Sequence, residues 1–111
     1  VLLTEGYLKG RISLEKIAEV TSLNPAKLFG YYPQKGNVSI GADADLVLVD
    51  LQKEQTVDEK STHSRFTSAF DNQKLKGWPI LTIRRGEVIF REGEVTAVPG
   101  SGRVLTRNQT R

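Results

Sequence analysis

Two aspartates stand two residues apart at Asp43 and Asp45, and on an extended segment they would share one face, as the paired carboxylates of general acid–base sites do. They also follow Gly41 and lead into an apolar run, a place where aspartate closes turns through hydrogen bonds to nearby backbone. No metal ligand or pKa-raising partner lies near them in sequence, so they are read as turn residues. His63, between Thr62 and Ser64, is the only histidine. A catalytic zinc takes about three protein ligands, so a lone histidine without cysteine or a helix-spaced carboxylate builds no metal site, and its expected place is a polar surface loop. Trp78, between Gly77 and Pro79, has the flat face of a ligand-stacking platform; the preferred reading is a large side chain anchoring the start of a buried strand. Cysteine is absent, which removes disulfides, thiolate metal sites and thiol nucleophiles. There is no H-x-H, H-E-x-x-H, G-x-S-x-G, P-loop or G-x-G-x-x-G. No catalytic, cofactor-binding or metal-binding residue is therefore assigned, and the residues alone describe a folded α+β module without a self-contained active site.

The net charge of +3 suggests nucleic acid until it is located. Residues 1–97 hold thirteen basic and thirteen acidic side chains, so the whole excess is Arg103, Arg107 and Arg111. Three scattered arginines without interleaved aromatics make a poor phosphate track, and residues 98–111 are expected to form a basic, frayed tail. With 111 residues the chain can hold one core, and 38% hydrophobic content places it among folded domains. No apolar run approaches the roughly 18 residues of a membrane span, and no basic-then-apolar leader opens the chain. Methionine is absent even at position 1, so an excised or processed piece is expected. The expected partners include neither nucleic acid nor membrane, and the expected location is cytoplasmic.

The elements that must carry these residues divide at about Tyr31. Leu2, Leu3, Tyr7 and Leu8 fit a helical face that stops at Gly10, and Ser13 can cap a second helix through Leu14, Ile17, Ala18 and Val20. Asn24-Pro25 is expected to restart the chain, with Asn24 as cap and Gly30 as left-handed terminator of a short helix over Pro25 to Phe29. Alternation over Asn37 to Ile40 suggests a brief extended segment. Leu46-Val47-Leu48-Val49 reads as an interior strand buried on both faces and closed by Asp50. Residues 52–77 are polar and predict one or two edge strands and a long loop. From Pro79 onward, alternation with turns at Gly86 and Glu92-Gly93 predicts a β-meander.

The string Asn24-Pro25-Ala26-Lys27-Leu28-Phe29-Gly30, then Lys35-Gly36, Ile40-Gly41 and Asp43-Ala44-Asp45-Leu46-Val47, resembles the C-terminal signature of the cyclic amidohydrolases: dihydroorotase, dihydropyrimidinase or hydantoinase, and allantoinase. Leu75-Lys76-Gly77-Trp78-Pro79, Thr82 to Val88 and Glu92 to Val95 are similar to the closing meander of that family, and Gly102-Arg103 with Arg107 to its tail. The resemblance implies that residues 1–30 are the last helices of a (β/α)₈ barrel. Residues 31–97 would be the C-terminal share of a small β-sandwich whose other strands come from a distant N-terminal part.

It further implies a parent enzyme that hydrolyses a cyclic amide C–N bond with two divalent metals, zinc by expectation. In the family these are held by an H-x-H pair, a carboxylated lysine and two further histidines, beside a proton-handling aspartate. No position here matches those motifs, so no catalytic or metal-binding residue is carried over and the piece itself is expected to be inactive. The alternative is a non-catalytic dihydroorotase-like scaffold or a stand-alone β interaction module. The expected partners are the rest of the parent chain, its barrel and N-terminal strands; without them, self-association through an exposed sheet edge or a repositioned helical segment is expected. One departure is Ala69-Phe70-Asp71-Asn72, where relatives often carry a Pro-aromatic-x-Gly; Asn72 can take the left-handed conformation of that glycine.

Overall fold

A computed structural model describes residues 1–107, so Arg111 and the end of the tail lie outside the described residues. The chain opens with a helical segment: α1 (Leu2–Tyr7), α2 (Leu14–Ala18), α3 (Glu19–Leu23) and α4 (Asn24–Leu28). Gly10 ends the first helical stretch at φ +68, and Ser13 caps α2 by accepting a hydrogen bond from the Lys16 N–H at 3.1 Å, both as the sequence predicts. Gly30 likewise takes φ +78 after α4.

The expected restart at Asn24 does not occur. Asn24 has helical angles (φ −64, ψ −44) and makes no side-chain cap, so α2, α3 and α4 run on as one helical rod. Proline 25 has no N–H to give and its ring crowds the carbonyl four residues back. The helix meets this by widening: α3 is a π-type turn in which the Asn24 N–H reaches Glu19 O, five residues back.

The sheet follows, with β1 (Leu46–Thr56), β2 (Lys74–Arg84), β3 (Glu87–Arg91) and β4 (Glu94–Val95) paired antiparallel in sequence order; a short helix α5 (Glu59–Thr62) lies between β1 and β2. The predicted meander is present, and its hairpins turn on Arg85-Gly86 (φ +47, +82) and Glu92-Gly93 (φ +47, +89), the positive-φ pairs that two-residue turns require. β2 starts earlier than expected, and Pro79 sits inside it. The ladder slips there, with Leu48 opposite Leu81 but Val49 opposite Pro79, and a bulge is where a residue lacking an N–H can be tolerated. β1 also runs past Asp50, whose carboxylate accepts from the N–H groups of Gln52 (2.8 Å) and Lys53 (3.2 Å) and bends the strand rather than ending it.

Two expectations fail for lack of neighbours. Residues 37–40 form bends instead of an extended segment, with Val38 and Ile40 fully open to solvent, because no adjacent strand offers backbone partners and Asn37 and Ser39 bond locally. The apolar run at Leu46 lies on the edge of the sheet, where Val47, Leu48 and Val49 are 57, 45 and 38% exposed, so it is not interior. A strand apolar on both sides records a need for cover, and none of the described residues supplies it.

The two halves meet at a few points. The Thr4 hydroxyl donates to Lys76 O (2.7 Å) and accepts from the Lys76 N–H (3.0 Å), satisfying the part of β2 that extends beyond β3. Beside it Gly77, at φ +91, leaves room for Leu3; a Cβ there would stand 3.0 Å from Leu3 Cβ. The only buried hydrophobic residues among those described are Ala26, Val57 and Leu75. No described helix is long and apolar enough to cross a membrane.

Candidate functional site

The aspartates singled out in the sequence are brought together with a lysine that the sequence reading did not connect to them. Lys35 Nζ stands 2.8 Å from Asp43 Oδ2 and also binds Asp45 Oδ2. Gln34 Nε2 donates to Asp43 at 3.2 Å, and the Asp43 N–H returns to Gln34 O at 2.9 Å. On its far side Asp45 Oδ1 accepts the Arg85 N–H at 2.8 Å, while Ala44 O accepts the Gly86 N–H at 3.0 Å. Segment 43–45 is thus fastened to the loop after α4 and to the tip of the β2–β3 hairpin at once. Gly36, at φ +86, lets that loop lie against α4: a Cβ there would fall 2.5 Å from Ala26 Cβ and 3.0 Å from Ser22 O.

The electrostatics of this cluster are those of a clasp. The Lys35 hydrogen bond holds Asp43 below the ordinary aspartate range. Burial works to raise Asp45, but Lys35 and the Arg85 amide outweigh it and leave Asp45 lowered too. Burial likewise draws Lys35 down, and the two carboxylates more than reverse it. A cleft of about 340 Å³ opens beside the cluster, against Ala18 and Ser22. Every charge at its wall is spent on another, so neither carboxylate is poised as an acid or base near neutrality. The carboxylates therefore fasten this segment to Lys35, Gln34 and the Arg85 amide, rather than closing a local turn through nearby backbone as the sequence predicts.

His63 takes a left-handed conformation (φ +51) at the end of α5, where its Nε2 lies 3.1 Å from Gly93 O and its ring meets Phe90 edge-on. It is an exposed residue of a polar stretch, and among the described residues no group of three or more His, Cys, Asp or Glu could hold a metal ion. Among the described residues the metals implied by the resemblance find no fitting donor set. Trp78 is half-buried in β2 and donates its Nε1–H to Leu75 O at 2.8 Å, tying down the early part of that strand. Asn72 does adopt the left-handed conformation, at φ +65. Of the tail arginines, Arg103 and Arg107 are exposed; the basic contacts that form are Arg84 Nη2 to Ser101 Oγ (2.8 Å) and Arg85 Nη2 to Ser101 O (3.0 Å).

The sequence reading missed Lys35, Gln34, Arg85 and the Asp58–Ser61 capping box that starts α5. For the last, the spacing of aspartate and serine was a usable signal. For Lys35 the signal was an opposite charge held across two glycines, which is visible only once the loop is closed.

Comparison with known proteins bears on what this arrangement belongs to. The chain is 45% identical over 108 residues to an L-hydantoinase of Paenarthrobacter aurescens, covering 96% of this chain and 24% of that protein. It is 36% identical over 110 residues to a D-hydantoinase of Ralstonia pickettii, covering 98% and 24%. The crystal structure of dihydropyrimidinase from Brevibacillus agri superposes with a TM-score of 0.89 at 36% identity, over 96% of this chain and 23% of that one. The chain thus spans about a quarter of the length of the relatives it matches. With residues 3–89 also matching the model of the amidohydrolase family, the chain belongs to that family.

Proposed function

We propose that this chain is the C-terminal structural share of a metal-dependent cyclic amidohydrolase, one that opens a hydantoin or dihydropyrimidine ring at its amide C–N bond. The observation that carries this reading is the match of nearly the whole chain to hydantoinases at 36–45% identity, over about a quarter of their length. The similarity to hydantoinases and to a dihydropyrimidinase supports hydantoins and dihydropyrimidines ahead of dihydroorotate and allantoin in this reading. In this reading the helical segment ends the catalytic barrel, and the sheet is one part of a small β-sandwich. The metals belong to other parts of the parent, since the donor set here does not fit them. The contribution of these residues is to fold, fasten and cover.

The test is an assay of ring opening on hydantoin and dihydrouracil, with the 111-residue chain and with a longer polypeptide carrying it. The longer protein is expected to open one of the rings and to lose that activity to a chelator, while the 111-residue chain gives none at equal concentration. Metal-dependent turnover by the short chain would overturn its inactivity. A longer protein that opens no cyclic amide would overturn the enzymatic reading in favour of a scaffold.

A further inference from the structure

We propose that Lys35 is the pin of a latch that couples the end of the helical rod to the tip of the β2–β3 hairpin, so that the two open and close together. The bonds form an unbroken path. Ala26 O, in α4, accepts the N–H groups of Tyr31 (2.8 Å) and Tyr32 (3.0 Å), and Lys35 N–H donates to Tyr31 O at 2.9 Å. Gly36 is pressed against Ala26 and Ser22, which fixes where the Lys35 side chain starts. That side chain reaches across to Asp43 and Asp45, and Asp45 and Ala44 take the two amides of the hairpin tip. Arg85 and Gly86 both lie at positive φ, so the tip holds a shape that a non-glycine residue adopts reluctantly and that the two amide bonds keep in place.

What makes this a coupling device is how little else joins the halves. The other joins described are the two Gln34–Asp43 hydrogen bonds beside Lys35, which stop at Asp43, and the docking of α1 on β2 through Thr4 and Leu3, at a different part of β2. The apolar packing between the halves lies at that docking, where Leu3 and Ile17 share a cleft with Leu75, Trp78 and Pro79, away from the hairpin tip. Coupling between two elements needs a physical link that both of them bias, and the Lys35 ammonium is the described group of the loop that reaches Asp45, the carboxylate that takes the Arg85 amide. The inference goes beyond the proposed enzymatic role and is measured on this chain, so it stands or fails separately.

Amide hydrogen exchange, read residue by residue by NMR on the whole chain, tests it. Lys35→Met is expected to speed exchange about tenfold at Arg85 and Gly86 and, in step, at Tyr31 and Tyr32, with Lys76 and the Thr82–Phe90 pair unchanged. Lys35→Arg is expected to restore most of the protection at both ends. Asp45→Asn combined with Lys35→Met is expected to change little beyond either alone, because both cut one device. The latch is overturned by faster exchange confined to the hairpin tip, by no change at either end, or by effects of the two substitutions that multiply. If Lys35→Met does not fold, Asp45→Asn decides the question at Tyr31 and Tyr32, away from the Arg85 amide that Asp45 itself takes: faster exchange there supports the latch and unchanged exchange overturns it.

Discussion

Single residues here act mainly by what they fasten. Asp43 and Asp45 ionise more readily than ordinary aspartates because Lys35 and, for Asp45, the Arg85 amide hold their charged forms. Groups whose folded pKa is depressed contribute stability above the ordinary value of 3.8 and lose it as pH falls through the lower folded value. Lys35, raised above 10.5, contributes below that value and loses its contribution as pH climbs past the folded one. The clasp is therefore expected to be constant through neutrality and to open at both extremes. The amide chemical shifts of Arg85 and Gly86 followed against pH check this: an acid midpoint below 3.8 is expected, and one at or above it would contradict the geometry. That these aspartates fasten the chain where the strand begins was legible from Gly41 before them and the strand after them, although the local turn expected there is not what their carboxylates make. Their partner was not, because a lysine ten residues away becomes a neighbour only after the loop through Gly36 has closed on Ala26.

Among the elements, the helices and hairpins follow local rules closely and the strand edges do not. Ser13, Gly10, Gly30 and the two positive-φ hairpin turns stand where caps and turn residues predicted them, since those choices depend on a few neighbouring bonds. The π-type turn before Pro25 and the bulges at Asp50 and Pro79 leave no local signal in the sequence, because each is a compromise between two elements competing for the same backbone. Docking of α1 onto β2 is a further case: one threonine hydroxyl serves both polar groups of Lys76. Thr4→Val keeps the side-chain shape and leaves that amide and carbonyl unpaired. A loss of about 1–3 kcal/mol is expected, seen as a lower urea midpoint at unchanged slope. An unchanged midpoint would mean that α1 is held by Leu3 against Gly77 instead.

The molecule as a whole is short of cover. Its accessible surface of 8431 Å² exceeds the roughly 6,100 Å² of a compact monomer of this mass, and its radius of gyration of 15.6 Å exceeds the expected value of about 13 Å. The surplus of roughly 2,300 Å² is the size of an obligate interface, and it includes the apolar edge at Val47, Leu48 and Val49. The isolated chain is expected to bind a hydrophobic dye and to self-associate at micromolar concentration, with Val47→Lys weakening both. A sedimentation run giving a single 12.3 kDa species that binds no dye would count against this. By itself the sequence determined the α+β order, the caps, the hairpin turns and the family, all of which rest on local bonding or on residue identity. Only the tertiary structure decided that the apolar strand is an edge, that the helices form one rod and that a lysine joins the two halves. Those outcomes depend on which distant groups are present to pair with, and a chain's own pattern records the need for a partner without recording where that partner is.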